Sequence, residues 1–234
     1  MKKSNLIGKY LLVSVFAALI FQTGCKEEGF KSEKPVESLT ANMTTYEYLK
    51  SKPGLYDSLI YLIDRYEMQG ILSTEGVTLF APTNTSFQIA IKNLNDARRA
   101  VGKSAVYLKD LSAGEVGTSP ALRVKAKADK EHLDTMVSRY IVKGVFLAQD
   151  FANGDGRSLA SVRGDYPMFG RRVYADAQGF QNGGSEVIEF FNTKRNQFLE
   201  KWSSVLTTSV NIKTKNGMVH LLRPDHVFGF DEFV

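Results

Sequence analysis

The sequence predicts an α+β domain, and three observations carry that expectation. Leu55, Leu59, Leu62, Ile63 and Tyr66 fall at offsets of 0, 4, 7, 8 and 11, which places them on one face of a helix. Residues 158–222 are instead rich in β-branched and aromatic side chains punctuated by turn glycines, the composition of strands. Between these regions, residues 78–87 form a short apolar, β-prone run that meets a proline and turns at once into a helical pattern.

Taken in order, Thr44 and Glu47 have capping-box spacing and open a short helix through Leu49. Pro53 and Gly54 break it, and the striped helix of residues 55–66 follows. Ile71 and Leu72 lead through Gly76 into the strand at 78–81, where Pro82 ends the pairing because it has no N–H to donate. Asn84 or Thr83 can then accept from the free N–H groups of a helix starting near Thr85, with Phe87, Ala90 and Ile91 as its apolar stripe. Residues 93–130 are the least patterned part. Lys92 to Lys130 hold nine basic and four acidic side chains, which suits either a solvated surface insertion or a basic binding loop. Leu133, Met136, Val137, Tyr140 and Ile141 predict a further amphipathic helix ended by Lys143 and Gly144. Strands are expected at 172–175, 186–190 and 209–213, with turns at Gly179 and at 182–184. Phe198, Leu199 and Trp202 predict a short helix inserted at 196–206. A last strand at 217–222 puts Met218, His220 and Leu222 on one face and Val219 and Leu221 on the other. Val145 and Phe146, and residues 227–230, read as core edges or a final packed strand.

With 234 residues, 43% hydrophobic and 24% charged, the chain has room for one sizeable core. Its formal charge of +5 suggests a polyanion partner, but Lys2, Lys3 and Lys9 lie in the leader, leaving 27 basic against 25 acidic side chains. So small an excess argues against nucleic acid. The leader has a basic start and an apolar run over residues 10–21, too short for the about 20 residues a spanning helix needs. It reads as a signal peptide of residues 1–24. Thr23, Gly24 and Cys25 resemble the end of a bacterial lipobox, with Gln22 where Leu is usual. Cys25 is the only cysteine; it is either a buried thiol or, as its place after the apolar run favours, the lipid anchor of the mature chain. Lys26, Glu27 and Glu28 resemble the surface-export tag of lipoproteins in one group of Gram-negative bacteria; otherwise they open a charged linker. Residues 25–41 are expected to be a flexible acylated tether, and 42–234 a single domain without internal repeat.

Catalytic chemistry has little to work with. His132, His220 and His226 show no metal-ligand spacing, and the sequence holds neither a phosphate-binding glycine loop nor a nucleophile elbow. No metal and no cofactor is expected. His220, among Met218, Val219, Leu221 and Leu222, reads as a hydrogen-bonded structural histidine before a ligand or base. Asn84 reads as a helix cap first and a binding residue second. Trp202 and Phe198, with Phe190 and Phe191 nearby, are either core or an aromatic platform for a sugar ring or a protein partner.

Residues 78–87, with Phe80, Ala81, Pro82, Thr83, Asn84 and Phe87, resemble the first signature of fasciclin-type (FAS1) domains. Asn216, Gly217 and His220 resemble the second, and residues 133–146, with Tyr140, the central segment. Ile141 stands where many members have His, so two-histidine chemistry is not implied. The resemblance implies a single wedge of two β-sheets packed with several α-helices, insertions near 93–130 and 192–206, and a contact between His220 and Tyr140. It also implies a non-catalytic adhesion or binding role toward an extracellular protein or polysaccharide. With the leader, this makes the chain an outer-membrane lipoprotein facing outward. An accessory lipoprotein that captures polysaccharide for an uptake system is the alternative, and a secreted hydrolase a third.

Overall fold

The computed structural model describes residues 39–113, 120–174, 179 and 183–232; Cys25, Lys26, Glu27 and Glu28 lie outside them. The described residues belong to one unit, Val36–Val234. Four helices flank the first strand: α1 (Thr45–Lys50), α2 (Asp57–Arg65), α3 (Gln69–Thr74), then β1 (Val77–Ala81) and α4 (Asn84–Ala100). Next come α5 (Leu108–Ala113), α6 (Pro120–Ser138) and β2 (Ile141–Lys143). The remainder is β3 (Arg157–Ala160), β4 (Pro167–Tyr174), β5 (Glu186–Asn192), β6 (Ser203–Lys213) and β7 (Gly217–Leu222).

The α+β expectation holds. The strands run in the order β2-β1-β7-β6-β5-β4-β3, and β6 is shared by two halves. Its start pairs β5 as far as Leu206, and from Thr207 onward it pairs β7, with two register shifts. Those bulges bend the strand, so one sheet curls into two faces. Curling brings the far ends together: Val142 bridges Ser161, and Val162 N–H donates to the Ile141 carbonyl at 2.9 Å. The sheet is thereby nearly a barrel.

At its centre lies β1, antiparallel to β2 and parallel to β7, with all five residues buried. Burial on both faces explains why this strand reads as a continuous apolar run rather than an alternation. Gly217 makes the parallel pairing possible, since a Cβ there would sit 2.4 Å from the Val77 carbonyl oxygen. Phe80 stacks on Phe190 of β5 at 3.9 Å and meets Phe151 edge-on at 6.3 Å, so one ring joins the two halves of the curl. The helices add Leu49, Leu59, Leu62, Ile63, Leu72, Phe87, Leu133 and Met136 to the same core.

Local signals predicted several elements well. The Thr44/Glu47 capping box is formed in both directions and opens α1, and β7 spans the expected 217–222. Other expectations need correction. Leu55 is 39% exposed and precedes α2. The helix expected to include Tyr140 and Ile141 ends at Ser138, and Ile141 is the first residue of β2. Pairing with β1 recruits those apolar residues, overriding helical spacing that an edge strand also satisfies. Residues 93–130, weakly patterned in sequence, are largely helical where described. No helix forms at 196–206: a single 3-10 turn (Leu199–Lys201) precedes β6. For residues 227–230 the core-edge reading holds and the strand does not: 228–230 form a turn, with Phe228 and Phe230 buried. Val145 is exposed.

Candidate functional sites

The signature residues are spent on structure. Thr83 occupies the N-cap position of α4 but makes no capping hydrogen bond. Asn84 caps a different helix: its Oδ1 accepts from Ser58 N–H in the first turn of α2 at 2.8 Å, and its Nδ2 donates to the Gly54 carbonyl and Asp57 Oδ2. The cap expected on α4 is not made; Asn84 instead serves the neighbouring element and clamps the α2 and α4 starts together. Pro82 is buried where β1 ends, and Phe87 stacks on Phe228 at 4.2 Å. Asn216 does the same kind of work at the other motif. Its Oδ1 takes the Thr45 N–H at 2.9 Å, and its Nδ2 reaches the Leu72 and Glu75 carbonyls. It thus joins α1, α3 and the β6–β7 turn.

His220 is fully buried beside Phe80, their rings 5.2 Å apart. Its Nδ1 accepts from the Asn211 N–H at 3.2 Å, so Nε2 carries the proton and donates to the Phe146 carbonyl at 3.0 Å. Both nitrogens are satisfied by backbone, and burial lowers its pKa to about 4. His220 is thus hydrogen-bonded within the scaffold, and the expected contact with Tyr140 is not made. Asn211, which sequence reasoning missed, sits in the β6 bulge at φ +62 and accepts from the Ala148 N–H at 2.7 Å. A bulge asparagine tolerates this left-handed backbone better than most residues.

Tyr140 contacts the other buried histidine. Its hydroxyl lies 2.7 Å from His226 Nε2 and accepts from the Gly229 N–H at 2.8 Å. With that acceptor role filled, the hydroxyl proton goes to Nε2, and the neutral ring carries its own proton on Nδ1. Nδ1 has no hydrogen-bond partner among the described residues. Burial lowers the His226 pKa to about 3 and raises that of Tyr140. The Tyr140 ring stacks on Phe228 and Phe230. No sequence motif announced His226; it lies 86 residues from Tyr140.

His226 lines a cleft of about 570 Å³ together with Ser203, Ser204, Arg223, Asp225 and Asp231. Phe230 and Asp231 both have left-handed backbone, at φ +53 and +67, an uncommon conformation for a bulky aromatic. Beside the cleft stands the aromatic group. Trp202 is half-buried, 5.2 Å from Phe169 and 5.8 Å from Phe191, with Nε1 donating to the Asn196 carbonyl at 2.8 Å. Phe198 is 65% exposed. The structure thus divides the expected pair: Trp202 is a wall of the domain and Phe198 projects from it. Among the described residues, no group of three or more His, Cys, Asp and Glu side chains gathers where a metal could bind.

The fasciclin domain family model matches residues 54–224. Among solved structures, a FAS1 domain pair from the insect cell adhesion molecule fasciclin I is similar. The match has 15% sequence identity and a TM-score of 0.43, and covers 76% of this chain. The chain spans 46% of the length of that domain pair. A comparison with curated proteins returns no match. FAS1 domains are in general adhesion or binding modules. The matched residues include both signatures and most of the core they build, and the chain belongs to the fasciclin family.

Proposed function

We propose that this protein is a non-catalytic binding module of the cell surface, held in the outer membrane by a lipid on Cys25 and facing outward. One observation carries the binding role. The signature side chains Phe80, Asn84, Tyr140, Asn216 and His220 are all engaged inside the scaffold, while Phe198 and its neighbours project unspent into solvent. Catalysis asks for polar groups converging on a substrate; adhesion asks for exposed aromatic anchors on a rigid frame. The leader and Cys25 support the anchor, and Lys26, Glu27 and Glu28 support outward display. A tether of about 15 residues would reach some 20–25 Å as a flexible coil. Capture of polysaccharide for uptake is the second reading, favoured by the half-exposed Trp202 ring against Phe169.

Metabolic labelling with a palmitate analogue is expected to mark the protein, and Cys25→Ala to abolish the mark. Protease added to intact cells is expected to digest the domain. A variant with Lys26, Glu27 and Glu28 all changed to Ala is expected to stay acylated but protected. Labelling of Cys25→Ala would remove the anchor, and equal protection of both proteins would place the domain inside.

A further inference from the structure

The β5–β6 loop is built to hold its shape. Lys194 N–H donates to Asn192 Oδ1 at 2.9 Å, Asn196 N–H to the Thr193 carbonyl at 2.8 Å and Phe198 N–H to Asn196 Oδ1 at 2.9 Å. Trp202 closes the loop through Asn196. Lys194 and Arg195 take left-handed backbone, φ +50 and +54, to make the turn. A loop bonded to itself this fully does not rearrange cheaply to hide its apolar residues, yet its tip exposes Phe198 and Leu199, the latter by 51%. Lys194 and Lys201 flank them along the loop, against one acid, Glu200, and all three are exposed, while the Arg195 guanidinium lies over the Tyr166 ring at 5.1 Å. The tip is apolar at its centre and carries a net charge of about +1 at its rim.

The neighbouring cleft has the opposite character. Its charged lining is Glu189, Asp225 and Asp231 against Arg223, a net charge of about −2 with His226 neutral. Glu189 is held by Arg171 at 2.7 Å and Asp225 by Arg223 at 2.8 Å, whereas Asp231 has no hydrogen bond or ion pair among the described residues. Val205, Leu206, Val227 and Phe230 supply apolar lining. Its volume, about 570 Å³, lies in the range of sites that enclose small ligands and leaves room for large side chains.

We propose that the tip of one molecule enters the cleft of a second copy, and that the exchange is reciprocal. Tip and cleft are contiguous, since the tip ends at Trp202 and the cleft begins with Ser203 and Ser204. Two adjacent complementary patches on one surface are what a two-fold pairing requires, because the same contact then forms twice. Phe198 and Leu199 meet the apolar lining, and Lys194 and Lys201 face Asp225 and Asp231. The His226 Nδ1–H, without a hydrogen-bond partner among the described residues, provides a donor to the incoming loop. Pre-bonding of the loop lowers the entropy lost on docking.

The position of the tether adds a consequence. Strand β6 runs from the tip to Lys213, whose N–H and carbonyl pair with Leu39 and Ala41 at 2.8 Å each. Eleven residues give β6 a contour of roughly 35 Å at about 3.3 Å per residue, and its bulges bring the two ends closer than that. In a reciprocal pair whose two-fold axis crosses β6, the two Leu39 ends lie on opposite sides. That arrangement suits molecules on facing surfaces; this facing geometry rests on the proposed anchoring, while the pairing itself does not.

Charge reversal tests the pairing. One variant of the full chain carries Lys194→Glu and Lys201→Glu; another carries Asp225→Lys and Asp231→Lys. In sedimentation of the detergent-purified chains, the wild type is expected to dimerise, and less so in 1 M salt, where screening falls to about 3 Å. Each variant alone is expected to sediment as a monomer with a wild-type circular dichroism spectrum. An equal mixture of the two is expected to restore the dimer, because both contacts in the mixed pair regain opposite charge. A monomeric wild type, variants that dimerise unaided, or a mixture that stays monomeric would each overturn the proposal. Cells displaying the two variants are expected to cluster only with each other. Absence of clustering despite a restored dimer in solution would refute the facing geometry and leave the pairing standing.

Discussion

His220 and His226 are both buried, both neutral and only six residues apart, yet they do different things. His220 lies in β7 with each nitrogen bonded to backbone, and Phe80 and Phe151 pack around it. His226 lies in the turn after β7, with one nitrogen on Tyr140 and the ring at the wall of a cleft. The signature histidine therefore locks the scaffold. The histidine without a signature holds an inner tyrosine on one side and faces a surface feature on the other. In this chain the motif histidine serves the fold, and a residue that serves the fold need not be one that binds a partner.

The sharpest way to break this comparison is to remove packing from the His220 side. Phe80→Ala deletes a ring stacked at 3.9 Å on Phe190 and is expected to cost about 3–5 kcal/mol. Denaturant titration reads the loss, and an unchanged midpoint would show that Phe80 does not join the two halves.

Acid compares the two histidines directly. Their folded pKa values, about 4 for His220 and about 3 for His226, lie below the ordinary 6.5. The unfolded chain therefore binds these protons first, and stability, full above pH 6.5, falls as the pH drops. Each histidine is expected to withdraw on the order of 3 kcal/mol between pH 6.5 and 4, with only His226 continuing to about pH 3. In His226→Gln the wild-type-minus-variant stability difference is expected to shrink steadily as the pH falls. A difference independent of pH would mean that His226 is not held neutral by burial.

The smallest effect belongs to the His226 side. Tyr140→Phe leaves His226 Nε2 and the Gly229 N–H without their partner and is expected to cost about 1–3 kcal/mol. Amide exchange at Gly229 should accelerate while exchange along β1 stays slow. Equal acceleration at both places would make the two regions one cooperative unit.

Legibility followed distance along the chain. The Thr44/Glu47 box, the stop at Pro82 and the strand of residues 217–222 were visible because proline chemistry, capping and side-chain period act within a few residues. Residues 133–141 misled because apolar spacing that fits a helix also fits a helix running into a strand, and only pairing with β1 separates the two. The region 196–206 misled for a related reason: Phe198 and Leu199 face solvent, so their apolar character reported no buried face.

By itself the sequence determined the family, the α+β class, the central strand and the turn into α4, since each rests on local conformational preference. Only the tertiary structure decided that Asn84 caps α2 rather than α4, that Tyr140 bonds His226 rather than His220, and that an apolar basic tip lies against an acidic cleft. These contacts join residues 26 and 86 positions apart for Asn84 with Ser58 and for Tyr140 with His226. Hydrogen-bond partners at such separations are chosen by how the sheet curls and which donors it leaves buried, and no short stretch of chain encodes that choice.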